Sequence, residues 1–109
     1  MHELGLTQRV VEVVCEHAGG AKVTRVVLEI GQLSAVLPDA VRFAWDLCTA
    51  GTPAEGADLV ILEPPGLARC RACATEFALE RPFGVCTCGS SDLEWRSGEQ
   101  LSIKELETT

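Results

Sequence analysis

The sequence predicts an α+β fold: a small sheet with two helices, interrupted by a four-cysteine module. Two segments have apolar residues at helical spacing, and three others are β-branched or alternate in polarity. Between Leu67 and Ser97 neither period persists, and cysteine, glycine and short polar runs take over. A chain of 109 residues has room for one main core plus a small appendage held by a metal.

The first two elements are predicted from apolar spacing. Apolar residues on one helical face are Leu6, Val10, Val13, Val14 and Ala18. The glycines at 19 and 20 can adopt the left-handed conformation that ends a helix, so we expect a helix from about Leu4 to His17. The segment from Val23 to Leu33 is rich in β-branched residues and predicts a strand.

A second helix is predicted to begin near Pro38, since proline suits a first helical turn. Its apolar stripe is Leu37, Val41, Ala44, Trp45 and Cys48. Strands are expected over Ala57–Glu63 and Gln100–Glu107, the latter returning to the first sheet. The triplet Pro64-Pro65-Gly66 is typical of a linker.

These elements divide the chain into two expected parts. Residues 1–64 and 98–109 form the α+β domain, and residues 65–97 form the inserted module. About thirty residues make too small a core to fold alone, so a metal is expected to be the main stabiliser of the module.

Four cysteines give the strongest chemical signal. Cys70 and Cys73 have CxxC spacing, and after twelve further residues Cys86 and Cys88 have CxC spacing. Four thiolates at tetrahedral positions are the usual cage for structural zinc, so the module is predicted to be zinc-ribbon-like. A zinc ribbon has CxxC in both halves, so CxC leaves the loop geometry open. Ferrous iron in the same cage, for electron transfer, is an alternative.

The remaining cysteines and the net charge limit the function classes. Cys15 and Cys48 lie on predicted helices and are expected to be packed thiols. With 9 basic against 16 acidic residues the chain carries −7, which argues against nucleic acid and anionic membranes as partners. No stretch reads as a membrane span or a signal peptide, so a cytoplasmic location is expected.

The amino terminus has a chelating pattern. The Met1 amine, the His2 amide and the His2 imidazole can close fused chelate rings around nickel(II) or copper(II), and Glu3 offers a further donor. Histidine at the second position disfavours methionine removal. By itself, however, this pattern favours a solvated histidine. His17 is expected to interact with the carbonyl end of the first helix. Asp39 is expected to stabilise the amino-terminal start of the second helix.

Four stretches of the sequence together resemble a known protein family. They are MHELGLTQRVVEVV, VVLEIGQLSAVLPDAVRFAWD, the CxxC and CxC pairs, and CGSSDLEWRSGEQLSIKELE. In this order, over essentially the whole chain, they resemble the HypA/HybF family. The resemblance implies a nickel metallochaperone for NiFe-hydrogenase maturation, with no enzyme activity of its own.

The resemblance also implies sites and partners. Nickel(II) would be a transferable cargo held by His2, with the Met1 amine and the backbone or side chain of Glu3. Zn(II) would be structural, held by Cys70, Cys73, Cys86 and Cys88. The implied partners are a HypB-type GTPase and the hydrogenase large subunit. Apolar surface around Trp45 or an edge strand is compatible with a homodimer, and the sequence leaves monomer and dimer open.

Two other classes of protein agree less well with the sequence than a nickel metallochaperone does. A zinc-ribbon module for nucleic acid or transcription machinery conflicts with the charge, because no basic stripe is present. An enzyme conflicts with the motifs, because the sequence has no phosphate-cradling glycine loop and no metal site with an open position.

Overall fold

A computed structural model describes residues 3–109, which form two helices and two three-stranded sheets. The order of elements is α1 (Glu3–Ala18), β1 (Val23–Ile30), α2 (Pro38–Thr49), β2 (Asp58–Leu62), β3 (Gly66–Cys70), β4 (Glu76–Leu79), β5 (Leu93–Ser97) and β6 (Leu101–Thr108). The α+β prediction is confirmed, and both helices lie where the apolar spacing predicts them.

The first sheet has the strand order β2-β1-β6, which confirms that the last strand returns to the first sheet. α1 packs on α2, and the valines of α1 at positions 10, 11 and 14 are buried. Val26, Leu28 and Ile30 of β1 are also buried. At about 25 cal/mol per Å² of buried apolar surface, such side chains supply most of the folding free energy of this sheet.

The exposed apolar surface of α2 does not lie around Trp45, where it was expected as a possible dimer contact. Trp45 is buried, and its indole N–H donates a hydrogen bond to the carbonyl of Ala57 at 3.3 Å. The exposed apolar side chains of this helix are Phe43 and Leu47 instead. The indole turns inward because it has both an apolar environment and an acceptor for its one donor.

The second sheet has the order β4-β3-β5, with both pairs antiparallel. These strands were not predicted from the sequence, because each has only four or five residues, too few to establish a period. Their small core contains the buried Leu33, Ala68 and Leu79, against which Phe77, Leu93 and Trp95 pack.

By contacts the chain separates into two compact units. One contains residues 1–28, 36–61 and 102–109, and the other residues 29–35 and 62–101. The predicted linker is not a loose connection, because the Pro64 carbonyl accepts a hydrogen bond from Gln32 and Gly66 begins β3. Among residues 3–109 no helix has the length and apolarity that crossing a bilayer requires.

Glycine is required where residues 29–35 meet the loop between β5 and β6. A Cβ on Gly31 would overlap the carbonyl group of Gly98, which itself has φ +103°. We expect Gly31→Ala to lower the free energy of unfolding by about 3 kcal/mol, since backbone on both sides must shift. Gly5→Ala is the control: its Cβ meets nothing, and the change is expected to stabilise α1 by up to about 1 kcal/mol. Urea denaturation measures both, and equal effects would contradict this account.

Candidate metal sites

The four cysteines predicted as ligands come together in one cluster. Their sulfur atoms all lie within 4.8 Å of one another. Cys70 and Cys86 are buried, whereas Cys73 and Cys88 are exposed. Within residues 3–109 this is the one group of three or more histidine, cysteine or carboxylate side chains with such spacing.

The first pair lies on a tight turn that follows β3. The N–H of Cys70 donates to the carbonyl of Thr75 at 2.9 Å, and the N–H of Ala74 donates to the carbonyl of Cys70 at 2.8 Å. Ala74, directly after Cys73, has φ +66°, which a residue with a Cβ rarely adopts. The turn therefore brings the sulfur atoms of a CxxC pair back toward one point, at some cost in backbone strain.

The second pair repeats this arrangement in a shorter loop. The N–H of Cys86 donates to the carbonyl of Ser90 at 2.8 Å, and the N–H of Gly89 donates to the carbonyl of Cys86 at 2.8 Å. Gly89, directly after Cys88, has φ +94°. Both turns thus share one hydrogen-bond pattern, with the second shorter by one residue. CxC spacing is accommodated because glycine adopts the positive φ without strain.

The sulfur positions fit a tetrahedral ion. Cys70 Sγ lies 3.6 Å from Cys88 Sγ, and Cys73 Sγ lies 3.5 Å from Cys86 Sγ. Four sulfurs each 2.3 Å from zinc would be about 3.8 Å apart. Each close pair joins one turn to the other, so a shared ion would tie the two turns together. With four protein sulfurs, such a site has no open position for water activation.

The electrostatics of the cluster also favour a cation. The hydroxyl and N–H of Thr75 lower the pKa of Cys73 to about 6. A backbone hydrogen bond at Ser90 favours the Cys88 thiolate, but the neighbouring thiols of Cys70 and Cys86 outweigh it and raise the pKa of Cys88 to about 11. Adjacent thiolates repel, so the four do not ionise together without a positive charge between them.

An ion pair braces the first turn against β5. Arg71 Nη1 lies 2.8 Å from Asp92 Oδ1 and also donates to the carbonyl of Leu93 at 3.2 Å. The N–H of Arg71 donates to the carbonyl of Asp92 at 3.0 Å. This contact could not be predicted from the sequence, because its partners are 21 residues apart and neither lies in a recognisable motif.

Of the predicted amino-terminal ligands, Met1 and His2 lie outside the described residues. Glu3 is the first residue of α1. Its Oε2 accepts a hydrogen bond from the N–H of Leu37 at 3.3 Å, and its carbonyl accepts one from the Thr7 hydroxyl at 2.6 Å. The carboxylate therefore has a protein donor close by.

The other residues singled out by sequence are not members of the four-cysteine cluster. His17 is exposed, and its Nδ1 lies 2.9 Å from the carbonyl oxygen of Val13 at the end of α1. Cys15 and Cys48 are half-buried. Burial raises the pKa of the Cys48 thiol, and its Sγ lies 3.9 Å from the Leu4 carbonyl oxygen.

These pKa shifts predict a reactivity order for the protein immediately after zinc is removed, while the two cysteine turns are still folded. At pH 7, above its pKa of about 6, Cys73 is mostly thiolate, whereas Cys48, with a raised pKa, stays a thiol. Iodoacetamide is expected to modify Cys73 first, and added zinc to protect it. Peptide mass spectrometry measures both rates. Equal rates for the two residues, or no protection of Cys73 by zinc, would contradict the prediction.

Comparison with known proteins identifies the family. Residues 1–108 match the family described as hydrogenase/urease nickel incorporation, metallochaperone, hypA. The chain is 61% identical over 107 residues to the hydrogenase maturation factor HypA of Nostoc punctiforme, covering 98% of this chain and 95% of that protein. Identity to HypA of Geobacter sulfurreducens is 48% over 108 residues, covering 98% of each.

Solved structures agree. The solution structure of the Ni metallochaperone HypA from Helicobacter pylori has a TM-score of 0.68 and 26% identity, covering 99% of this chain and 97% of that one. A second solution structure of a HypA protein has a TM-score of 0.67 and 27% identity, covering 100% and 97%. The chain belongs to the HypA family, which consists of nickel metallochaperones rather than enzymes.

Proposed function

We propose that this chain carries nickel(II) for hydrogenase maturation and releases it to the large subunit of a NiFe-hydrogenase, acting with a HypB-type GTPase. The observation that carries the proposal is the match of residues 1–108 to a nickel-incorporation family. Relatives at 61% and 48% identity bear the name hydrogenase maturation factor, which supports the same process for this chain.

The cargo site is proposed at the amino terminus. His2 is the principal ligand, with the Met1 amine and the backbone or side chain of Glu3. An amine, a backbone amide and an imidazole give the nitrogen donors that square-planar or tetragonal nickel(II) accepts. Few protein side chains need to move to release an ion held at a chain end, which suits a carrier.

The second metal is proposed to be a structural zinc held by Cys70, Cys73, Cys86 and Cys88. The sulfur spacing and the matching turns support it. Its donors are all soft thiolates, whereas the terminus offers nitrogen and oxygen, so the two donor sets favour different ions. Residues 65–97 are thus assigned to zinc, and residues 1–64 and 98–109 to nickel.

Elemental analysis followed by nickel titration tests the proposal on a chain with its native terminus and no tag. We expect about one zinc per chain as purified, and about one nickel bound in addition without zinc release. A nickel-binding chain that gives up its nickel to a weak chelator while keeping zinc would match a carrier. If no nickel bound, or nickel displaced the zinc, the proposal would fail.

A further inference from the structure

The four cysteine sulfurs approach one another in two close pairs, and each pair joins one turn to the other. Cys73 Sγ lies 3.5 Å from Cys86 Sγ, and Cys70 Sγ lies 3.6 Å from Cys88 Sγ. The sulfurs of a disulfide are about 2.05 Å apart, so each pair needs to close by only about 1.5 Å. The side-chain positions therefore favour one of the pairings that four cysteines allow.

Each close pair also joins an exposed sulfur to a buried one. Cys73 and Cys88 are exposed, whereas Cys86 is 3% exposed and Cys70 is 0% exposed. A small oxidant from solvent reaches the exposed member of a pair first, and the buried member lies beside it as a second thiol. Cysteines that respond to oxidants combine these two features, an accessible sulfur and a resolving thiol close by.

The backbone holds the two turns side by side without using the sulfur atoms. β3, which ends at Cys70, pairs antiparallel with β5, and Cys70 lies opposite Leu93. One step further, the N–H of Arg71 donates to the carbonyl of Asp92 at 3.0 Å. Strand pairing therefore keeps the first turn beside the chain that leaves the second turn while the sulfur atoms exchange bonds.

We propose that the cluster is a site of reversible oxidation by hydroperoxides, which convert it to the disulfides Cys73–Cys86 and Cys70–Cys88. The two sulfurs within one turn do not pair with each other. The zinc ion leaves, because the thiolate is the metal ligand and a disulfide sulfur carries no charge. The inference rests on the proposed function only for the identity of the ion, since the pairing follows from the sulfur positions.

The reaction at each pair consumes one peroxide and two thiolates. The exposed thiolate attacks one peroxide oxygen, so that an S–O bond forms, the O–O bond breaks and hydroxide leaves. The buried thiolate then attacks the sulfenic sulfur, so that the S–S bond forms and the oxygen leaves as a second hydroxide. The two sulfurs together lose the two electrons that the peroxide gains. Reaction at both pairs removes all four ligands from the ion.

The disulfides also replace the ion as ties between the turns. A reduced module without zinc has only its small core, whereas the oxidised module has two covalent cross-links. They join cysteines that are 18 and 13 positions apart, and cross-links over such loops limit the freedom of the unfolded chain. We therefore expect β3, β4 and β5 to persist in the oxidised chain after zinc has left, unlike in a chain stripped by a chelator.

Titration of the zinc-loaded chain with hydrogen peroxide, followed by zinc analysis and disulfide mapping, tests this inference. We expect about one zinc to be released for about two peroxides consumed. Digestion after arginine and glutamate puts Cys70 and Cys73 on separate peptides and leaves Cys86 and Cys88 on a third. Both of the first two peptides should be linked to the third, and fragmentation between Cys86 and Cys88 identifies the partner of each.

The remaining cysteines are internal controls. Cys15 and Cys48 are half-buried and are not members of the cluster. Alkylation after unfolding should label only these two in the oxidised chain, and all six cysteines after treatment with a thiol reductant. Cys48→Ser should release zinc at the native rate. NMR spectra should keep the amide signals of β3–β5 in the oxidised chain without zinc, and lose them when the disulfides are then reduced without adding zinc.

The opposite results are distinct. Any other pairing of the four cysteines, retention of zinc after about two equivalents of peroxide, or sulfinic acids without a disulfide would overturn the inference. Collapse of β3–β5 on oxidation would overturn the role of the disulfides as ties. Zinc analysis before peroxide is added tests the proposed function separately. A chain without zinc would contradict the zinc assignment, and the disulfide pairing in that chain would still decide this inference.

Discussion

Replacing His2 with alanine is expected to lower the affinity for nickel(II) by more than about a hundredfold, since substitutions one shell further out already cost 10–100-fold in metal sites. The imidazole closes the chelate ring that the amine and the backbone amide begin. Alanine leaves those two donors without the third. The zinc content should not change, because the cluster contains sulfur donors only.

The chain offers a matched control in its other histidine. His17 is exposed on α1, and its ring already lies 2.9 Å from a backbone carbonyl oxygen. Isothermal titration of nickel into the native chain, His2→Ala and His17→Ala compares them directly. Equal losses in the two variants, or retention of native affinity in His2→Ala, would place the cargo site elsewhere.

Replacing Cys70 with serine is expected to abolish zinc binding and to unfold the strands β3, β4 and β5. Cys70 is fully buried at the end of β3, and its sulfur lies 3.6 Å from that of Cys88. Structural zinc contributes about 10–16 kcal/mol in small modules, far more than a core of three buried side chains supplies. Removal of zinc by a chelator should have the same effect.

Cys48→Ser is the control for this substitution, since Cys48 is half-buried and lies outside the cluster. Zinc analysis and two-dimensional NMR follow the outcome. Amide signals of β3–β5 should collapse in Cys70→Ser while those of α1 and α2 persist. A variant that kept its zinc, or lost it with every strand intact, would contradict a structural role for the metal.

The elements that could be predicted are those whose own residues show a clear apolar period or a high content of β-branched residues. α1 and α2 each bury one apolar stripe, and β1 is dense in β-branched residues, so periodicity alone was sufficient. β3, β4 and β5 were missed because four or five residues are too few to establish a period. Pairing and the small core stabilise them, and neither can be read from a short segment.

The candidate metal sites were also predictable only in part. The four cysteines were predicted to be metal ligands from their chemistry, because four soft thiolates at such short spacing are the usual ligands of structural zinc. Which sulfurs approach each other was not predictable, since that depends on the φ values of Ala74 and Gly89. The contact between Glu3 and Leu37 was equally hidden, because it depends on how two helices pack.

X-ray absorption at the nickel and zinc edges of one doubly loaded sample tests the central claim most directly, namely that the two metals occupy separate sites with different donors. We expect only nitrogen and oxygen neighbours around nickel, and four sulfurs at about 2.3 Å around zinc. Sulfur in the nickel shell, or nitrogen and oxygen replacing sulfur around zinc, would show that the metals share or exchange the cysteine cluster and would contradict the account.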